Sequence, residues 1–345
     1  MRRASLLLLL LIGAPFLACS KMVYVPEGTI VQDGKYDTAF PQIEAADQFE
    51  DILRSVRMIN CVANYKHFIF APESGITPDD LDDETIKDKA TTVDFFQETA
   101  SGTATIIHFQ DGMFALLTSA HIVHFPDTLV FFFEDDEDED TPRRVQSIAV
   151  KDNQQNYIPG IPGVTDLDIL AMDAEVDVAL LGQAVPTLPA GSVPVFDYPL
   201  GEAKDLEWGS FVYVVGFPGG TKMITRGLVS KPFRSGNTFV IDASFNRGFS
   251  GGLVLAVRDG VPNFEWVGVA TASASTTEYR LRPSQDATPD DIDPRVPYRG
   301  ELFLEQRRAI RYGITLCIPI DAVKKFLETH AARLAEQGYQ LKLLG

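Results

Sequence analysis

An all-β fold is what this sequence predicts. Short apolar runs recur along most of the chain, and clusters of Gly, Pro, Asn and Asp separate them where long helical periods would otherwise stand. No helical pattern alternates with the runs, which argues for antiparallel sheets over βαβ units. The 345 residues, 45% hydrophobic and 23% charged, suffice to bury a core as one large domain or two modest ones.

The N-terminus carries Arg2 and Arg3, an apolar run from Leu6 to Ile12, and then Phe16, Leu17, Ala18, Cys19 and Ser20. This is the order of a secretory signal, and the run is too short to span a bilayer. The end of the segment resembles a bacterial lipobox, with Cys19 the residue that would be lipidated and residues 1–19 the signal. Simple secretion, with cleavage after Ser20, is the competing expectation. Residues 20–42 lack periodicity and read as a tether between membrane and domain.

Ile43 to Leu53 then shows helical spacing, and eleven strand-like runs follow. They are Val56–Val62, Thr103–Phe109, Phe114–Thr118, Thr128–Phe133, Val178–Leu181, Phe211–Val215, Met223–Val229, Thr238–Ile241, Gly252–Val257, Trp266–Ala272 and Ile314–Ile318. A closing amphipathic helix over about 321–337 places Val323, Phe326, Leu327 and Leu334 on one face, with Asp321 at the N-cap. Between the last two runs, residues 277–312 hold Arg280, Arg282, Arg295, Arg299, Arg307, Arg308 and Arg311 among acids, and read either as a disordered loop or as a lid or partner-binding segment.

The net charge of −18 disfavours nucleic acid, since a phosphate groove needs clustered Lys and Arg. Acidic blocks at Asp79–Glu84 and Glu134–Asp140 read as solvated loops; calcium at the second is disfavoured because EF-hand spacing is missing. With Cys19 assigned to the anchor, Cys61 and Cys317 remain, either bridged or as two buried thiols, the latter favoured. No HExxH or paired CxxC motif is present, His108 and His124 have no partners at ligand spacing, and neither metal nor other cofactor is expected.

Three segments carry chemistry. In Asn246-Arg247-Gly248-Phe249-Ser250-Gly251-Gly252 a serine sits in a tight glycine turn, where backbone must approach a substrate carbonyl closely. Upstream, Thr118-Ser119-Ala120-His121 places a histidine just past an apolar strand, and Glu175-Val176-Asp177-Val178 puts a carboxylate at the mouth of another. Asp166, Asp168 and Asp173 compete with Asp177, which is preferred because the buried run follows it directly. The chain order His, Asp, Ser is one of several used for nucleophilic hydrolysis.

Together with Gly216-Phe217-Pro218-Gly219, Gly268-Val269-Ala270 and Ile318-Pro319-Ile320-Asp321, these motifs resemble the trypsin-like serine proteases, closest to the bacterial HtrA/DegP type. The resemblance covers roughly residues 50–330. It implies two six-stranded antiparallel β-barrels, about 50–185 and 205–320, within a protease domain over 43–335. It implies His121, Asp177 and Ser250 as triad, the amides of Gly248 and Ser250 as oxyanion hole, and Ser244, Val269, Ala270 and Thr271 around the specificity pocket. Asp242, on the same strand face as Ser244, is the one carboxylate near that pocket. Phe249, Arg247 and Leu253 depart from the family's usual residues beside the serine. No chain remains after Gly345 for the PDZ domain many such proteases carry, so recognition of substrate ends by that module is not expected.

The resulting expectation is a membrane-anchored endopeptidase, periplasm-facing or on the outer membrane, acting on exported or misfolded polypeptides, with its oligomeric state open. The alternatives are a catalytically silent scaffold of the same fold, and an esterase using the same triad.

Overall fold

The computed structural model describes residues 32–41, 43–133, 143–233, 236–283 and 295–341. The signal segment, Cys19 and the Glu134–Asp140 block lie outside the described residues.

Thirteen strands form two antiparallel sheets. The first holds β1 (Val56–Phe70), β2 (Ala90–Gln110), β3 (Met113–Thr118), β4 (Thr128–Phe132), β5 (Val145–Tyr157), β6 (Asp168–Asp173) and β7 (Val178–Ala184) in the order β4-β5-β1-β2-β3-β7-β6. The second is a closed barrel of β8 (Phe211–Gly216), β9 (Met223–Lys231), β10 (Phe239–Ile241), β11 (Gly252–Val257), β12 (Phe264–Pro283) and β13 (Leu302–Pro319). The expected six-strand count thus holds for the second unit, while the first has seven strands in an open series. Helices α1 (Ala46–Ser55) and α2 (Asp83–Lys89) flank β1, α3 (Ala120–Val123) is a single turn after β3, and α4 (Ile320–Glu336) closes the fold.

The expected strands appear because their alternate residues have somewhere apolar to go. Ile59, Cys61, Ile106, Phe114, Leu116 and Leu181 meet inside the first unit, and Val214, Leu253, Leu255, Phe264, Trp266 and Ile318 inside the barrel. The α4 face of Val323, Phe326, Leu327 and Leu334 is buried against the barrel core as its spacing predicts. Asp321 does not cap α4. Pro319 stands at the N-cap, and Asp321 accepts the Ala203 amide at 2.8 Å, tying the helix to the connection between the two units.

Strand β5 was hidden in the sequence because half of it is polar. Its Asn and Gln residues pair with β1 and form a side-chain ladder: Asn64 donates to Asn153 at 2.6 Å, and Gln97 donates to Asn64 at 2.7 Å. The acidic block from Asp79 has local roles too, with Asp82 accepting the Glu84 and Thr85 amides to cap α2.

Two expectations need correction. The tether is not free throughout, since residues 32–41 are strapped to the barrel. Tyr36 is 4% exposed, its hydroxyl donates to Glu265 at 2.6 Å, and Arg258 stacks on its ring at 4.0 Å while pairing with Glu265. Asp37 adds backbone bonds to Val257 and Phe211, at 2.9 and 2.8 Å. The aromatic and paired charges give this stretch burial that its Gly, Asp and Lys content conceals.

The second correction concerns residues 277–312. Their described parts are the ends of β12 and β13, paired from Ser275↔Ile310 to Pro283↔Leu302 as a two-stranded ribbon. Alternation sends Tyr279, Leu281, Leu302 and Leu304 to one face, and these are 64%, 67%, 49% and 68% exposed. The other face carries charges around Phe303, with Arg282 and Glu305 at 3.4 Å. A period-2 pattern with neither face buried is easily taken for a loop.

No ribbon side chain described here belongs to a buried core. Replacing residues 278–307 by a short Asn-Gly turn between the paired Thr277 and Arg308 should therefore leave the barrel intact. The shortened chain is expected to unfold cooperatively with a Tm within a few degrees of the parent, and insoluble or non-cooperative protein would show that the ribbon is structural.

Candidate active site

His121 lies on α3, a turn whose backbone follows β3 directly, and its side chain is about half exposed. Asp177 sits in the turn before β7 with φ 63, a left-handed conformation that Asp tolerates better than most residues. That turn is held by Asp173, whose carboxylate accepts the amides of Glu175 and Val176 at 2.9 and 3.0 Å. Asp173 is thus occupied locally and Asp177 faces the histidine.

The carboxylate of Asp177 meets Nδ1 of His121 at 3.0 and 2.9 Å and accepts the His121 backbone amide at 2.8 Å. It also accepts the hydroxyl of Thr271, from β12 of the barrel. Burial by itself would raise the Asp177 carboxyl. The hydrogen bond and charge of His121, together with Thr271, outweigh burial and hold it below the ordinary carboxylate range. An acceptor at Nδ1 favours the tautomer with its proton there, which leaves Nε2 with a lone pair for a neighbouring hydroxyl.

Ser250 enters from the other unit, on the turn before β11. Its hydroxyl donates to the Thr271 carbonyl at 3.1 Å, and among the described residues it makes no bond to His121. Thr271 therefore touches both ends of the constellation, through its hydroxyl and its carbonyl.

The turn needs its glycines. A Cβ on Gly248 (φ 104) would lie 2.1 Å from the Phe217 carbonyl oxygen, and one on Gly251 (φ 79) 2.1 Å from that of Thr103. Among the described residues, no hydrogen bond is made by the amides of Gly248 or Ser250. Phe249 points away from the site, 2% exposed, with its ring 6.0 Å from that of Phe245. Its departure from the family pattern is a core substitution. Leu253 is likewise buried in β11, and Arg247 is exposed.

The expected pocket residues divide. Ser244 is exposed. Val269 and Ala270 are wholly buried, at 0%, because their side chains pack into the hydrophobic core. They are committed to that core and present no surface to a pocket. Pairing with β11 ends at Ala270, so the open side of β12 begins at Thr271 and continues through Ala272 and Ser273, which face Leu316 and Thr315 of β13. The Asp242 carboxylate accepts the Leu228 amide at 2.6 Å, an engagement with β9.

Cys61 and Cys317 are free and buried in different units, and burial pushes the Cys61 thiol up to about 12. His108 is buried beside the Tyr339 ring and His124 is exposed. Among the described residues, no group of three or more His, Cys, Asp or Glu side chains is gathered as a metal site requires.

Residues 102–268 match the family model of the trypsin-like peptidase domain, a stretch that includes His121, Asp177 and Ser250. No curated protein matches the chain. Among solved structures the chain is similar to the Rv3671c protease from M. tuberculosis in its active form, at 16% identity and TM-score 0.39, covering 85% of this chain and 88% of that one. It is also similar to Deg5, at 16% identity and TM-score 0.38, covering 84% and 97% of the two chains.

Proposed function

We propose, from the match of residues 102–268 to the trypsin-like peptidase domain and from the geometry above, that the chain is a serine endopeptidase built on Ser250, His121 and Asp177. The observation that carries this reading is the His121–Asp177 pair, bonded through both side chain and backbone and linked to Ser250 through Thr271. Ser250 Oγ attacks the peptide carbonyl as His121 Nε2 takes its proton, and Asp177 stabilises the imidazolium that forms. The amides of Gly248 and Ser250 receive the oxyanion. Collapse breaks the C–N bond, His121 returns the proton to the leaving amine, and water repeats the sequence on the acyl-enzyme.

Substrates in this reading are exported or misfolded polypeptides, and the enzyme is held at the membrane by a lipid on Cys19. Residues 32–41 bind at Val257 and Arg258, the end of β11 far from Gly252, about 17 Å away for five residues of strand.

A fluorophosphonate tests the proposal, because it phosphonylates a serine only where base and oxyanion hole are competent. Labelling of the mature protein at Ser250, absent from Ser250→Ala, is the expected result. The rival reading, a silent scaffold, is favoured by the resting bond from Ser250 to the Thr271 carbonyl, and it requires no labelling at all. A labelled enzyme that cleaves acyl esters but no peptide would be an esterase.

Specificity follows from the pocket side. Ser244 carries no charge and one oxygen of Asp242 is tied to the Leu228 amide, so a basic side chain would find no carboxylate committed to it at Ser244. Small or medium aliphatic residues are expected before the cut, with weak discrimination of about 1–3 kcal/mol per methylene. Peptide-library profiling checks this, and dominant Arg or Lys before the scissile bond would assign Asp242 to the pocket instead.

A further inference from the structure

The hydroxyl of Thr103, in the first unit, is wedged into the nucleophile turn of the second. Thr103 is fully buried, and its Oγ1 donates to the Gly248 carbonyl at 2.6 Å while accepting the Phe217 amide at 2.9 Å. Its backbone amide donates to the Ser250 carbonyl at 2.8 Å, and its carbonyl accepts the Thr118 hydroxyl at 2.7 Å. One residue of β2 therefore holds both carbonyls that bracket Phe249.

Gly248, at φ 104, has little side-chain steric bias against rotating its peptide planes. Three bonds fix them. The Gly219 amide donates to the Arg247 carbonyl at 3.0 Å, and because a trans peptide sets N–H and C=O on opposite sides, the Gly248 N–H points the other way. The next plane is held from both edges, by Thr103 Oγ1 on the Gly248 carbonyl and by the Phe249 amide, which donates to the Asn246 carbonyl at 3.1 Å. We propose that Thr103 is a positioning residue whose hydroxyl locks the Gly248–Phe249 peptide, keeping the Gly248 amide open toward the reacting carbonyl oxygen. This rests on the serine-peptidase reading, and it adds a contact from the first unit on which the oxyanion site of the second depends.

Thr103→Val removes the hydroxyl at nearly constant volume, and Thr103→Ser keeps it. In Thr103→Val, kcat for a peptide is expected to fall on the order of 10- to 100-fold with KM within about twofold, as for loss of a transition-state contact. A peptidyl trifluoromethyl ketone, which forms an oxyanion, should lose affinity by a similar factor, whereas a cleaved product peptide should not. Thr103→Ser should restore all three values to within about threefold. Equal weakening of product and ketone, or a serine variant as impaired as the valine, overturns the proposal.

Should the valine variant not fold, Thr103→Ala takes its place. It removes the same hydroxyl without setting a methyl against Gly216, where little space is left. The carbonyl-carbon NMR shift of Gly248 supplies a readout independent of turnover. It should move upfield in Thr103→Val or Thr103→Ala and stay in place in Thr103→Ser, even in a wild type that proves unreactive toward fluorophosphonate. That last result would sink the peptidase reading and leave the lock standing, and an unmoved Gly248 carbonyl would sink the lock.

Discussion

Replacing Ser250 or His121 by Ala is expected to lower kcat by on the order of a millionfold while leaving Tm nearly unchanged. Members of a triad act as a unit, so losing either one forfeits almost the whole acceleration that the unit provides, and the double variant should be little worse than either single one. Neither side chain fills the core: Ser250 is half-buried and His121 half exposed. Without the imidazole, the Asp177 carboxylate still accepts the residue-121 amide and the Thr271 hydroxyl, so no buried charge is stranded. Steady-state peptidase rates and a melting curve check both halves of the expectation. Near-native turnover in either variant would mean that the chemistry lies elsewhere on the molecule.

The site spans two units, and it joins His121 to a Ser250 that lies more than a hundred residues further along the sequence. His121 and Asp177 hang from β3 and β7 of the first sheet, which are paired neighbours, so their meeting follows from one strand pairing. Ser250 comes from the barrel, and Thr271 and Thr103 stitch the halves together in opposite directions. Thr271 reaches from the barrel to Asp177; Thr103 reaches from the first sheet to the Gly248 turn. Any relative shift of the units would strain these contacts together, which gives the loops a shared reference frame.

The parts legible in the sequence are those whose residue types carry their own reasons. A serine between glycines announces a crowded backbone, and here a Cβ at either flanking glycine would clash with carbonyl oxygens of other segments. Apolar runs announced the core strands, and Val323, Phe326, Leu327 and Leu334 announced the buried face of α4. What escaped was everything decided by a tertiary partner. Thr103 and Thr271 are ordinary strand residues until a carboxylate or a carbonyl arrives from elsewhere. Val269 and Ala270 look like pocket walls by their place in a motif, yet their side chains are taken up by the hydrophobic core. The ribbon and the polar half of β5 are strands whose signal is pairing instead of burial, and a reading that searches for apolar faces passes over them.

Asp177→Asn is expected to reduce kcat on the order of ten-thousandfold with the fold preserved, because the amide cannot do what the carboxylate does. Its nitrogen is a donor, so a His121 ring placed against it turns its proton-bearing nitrogen toward Ser250 and loses the lone pair needed to take the serine proton. The carboxylate also leaves a signature in stability. Its folded value lies below the ordinary Asp value of about 3.9, so it contributes stability that is complete above that value and is lost as pH falls through the depressed one. The wild type should therefore lose stability from about pH 4 downward by one proton more than Asp177→Asn does. Urea unfolding of both proteins at pH 6, 4 and 3 reads this directly: the gap between them should be widest at pH 6 and close toward pH 3. A gap independent of pH, or one that widens in acid, would show that Asp177 is not held as a carboxylate by His121 and Thr271, and a variant that kept peptidase activity would remove it from the mechanism.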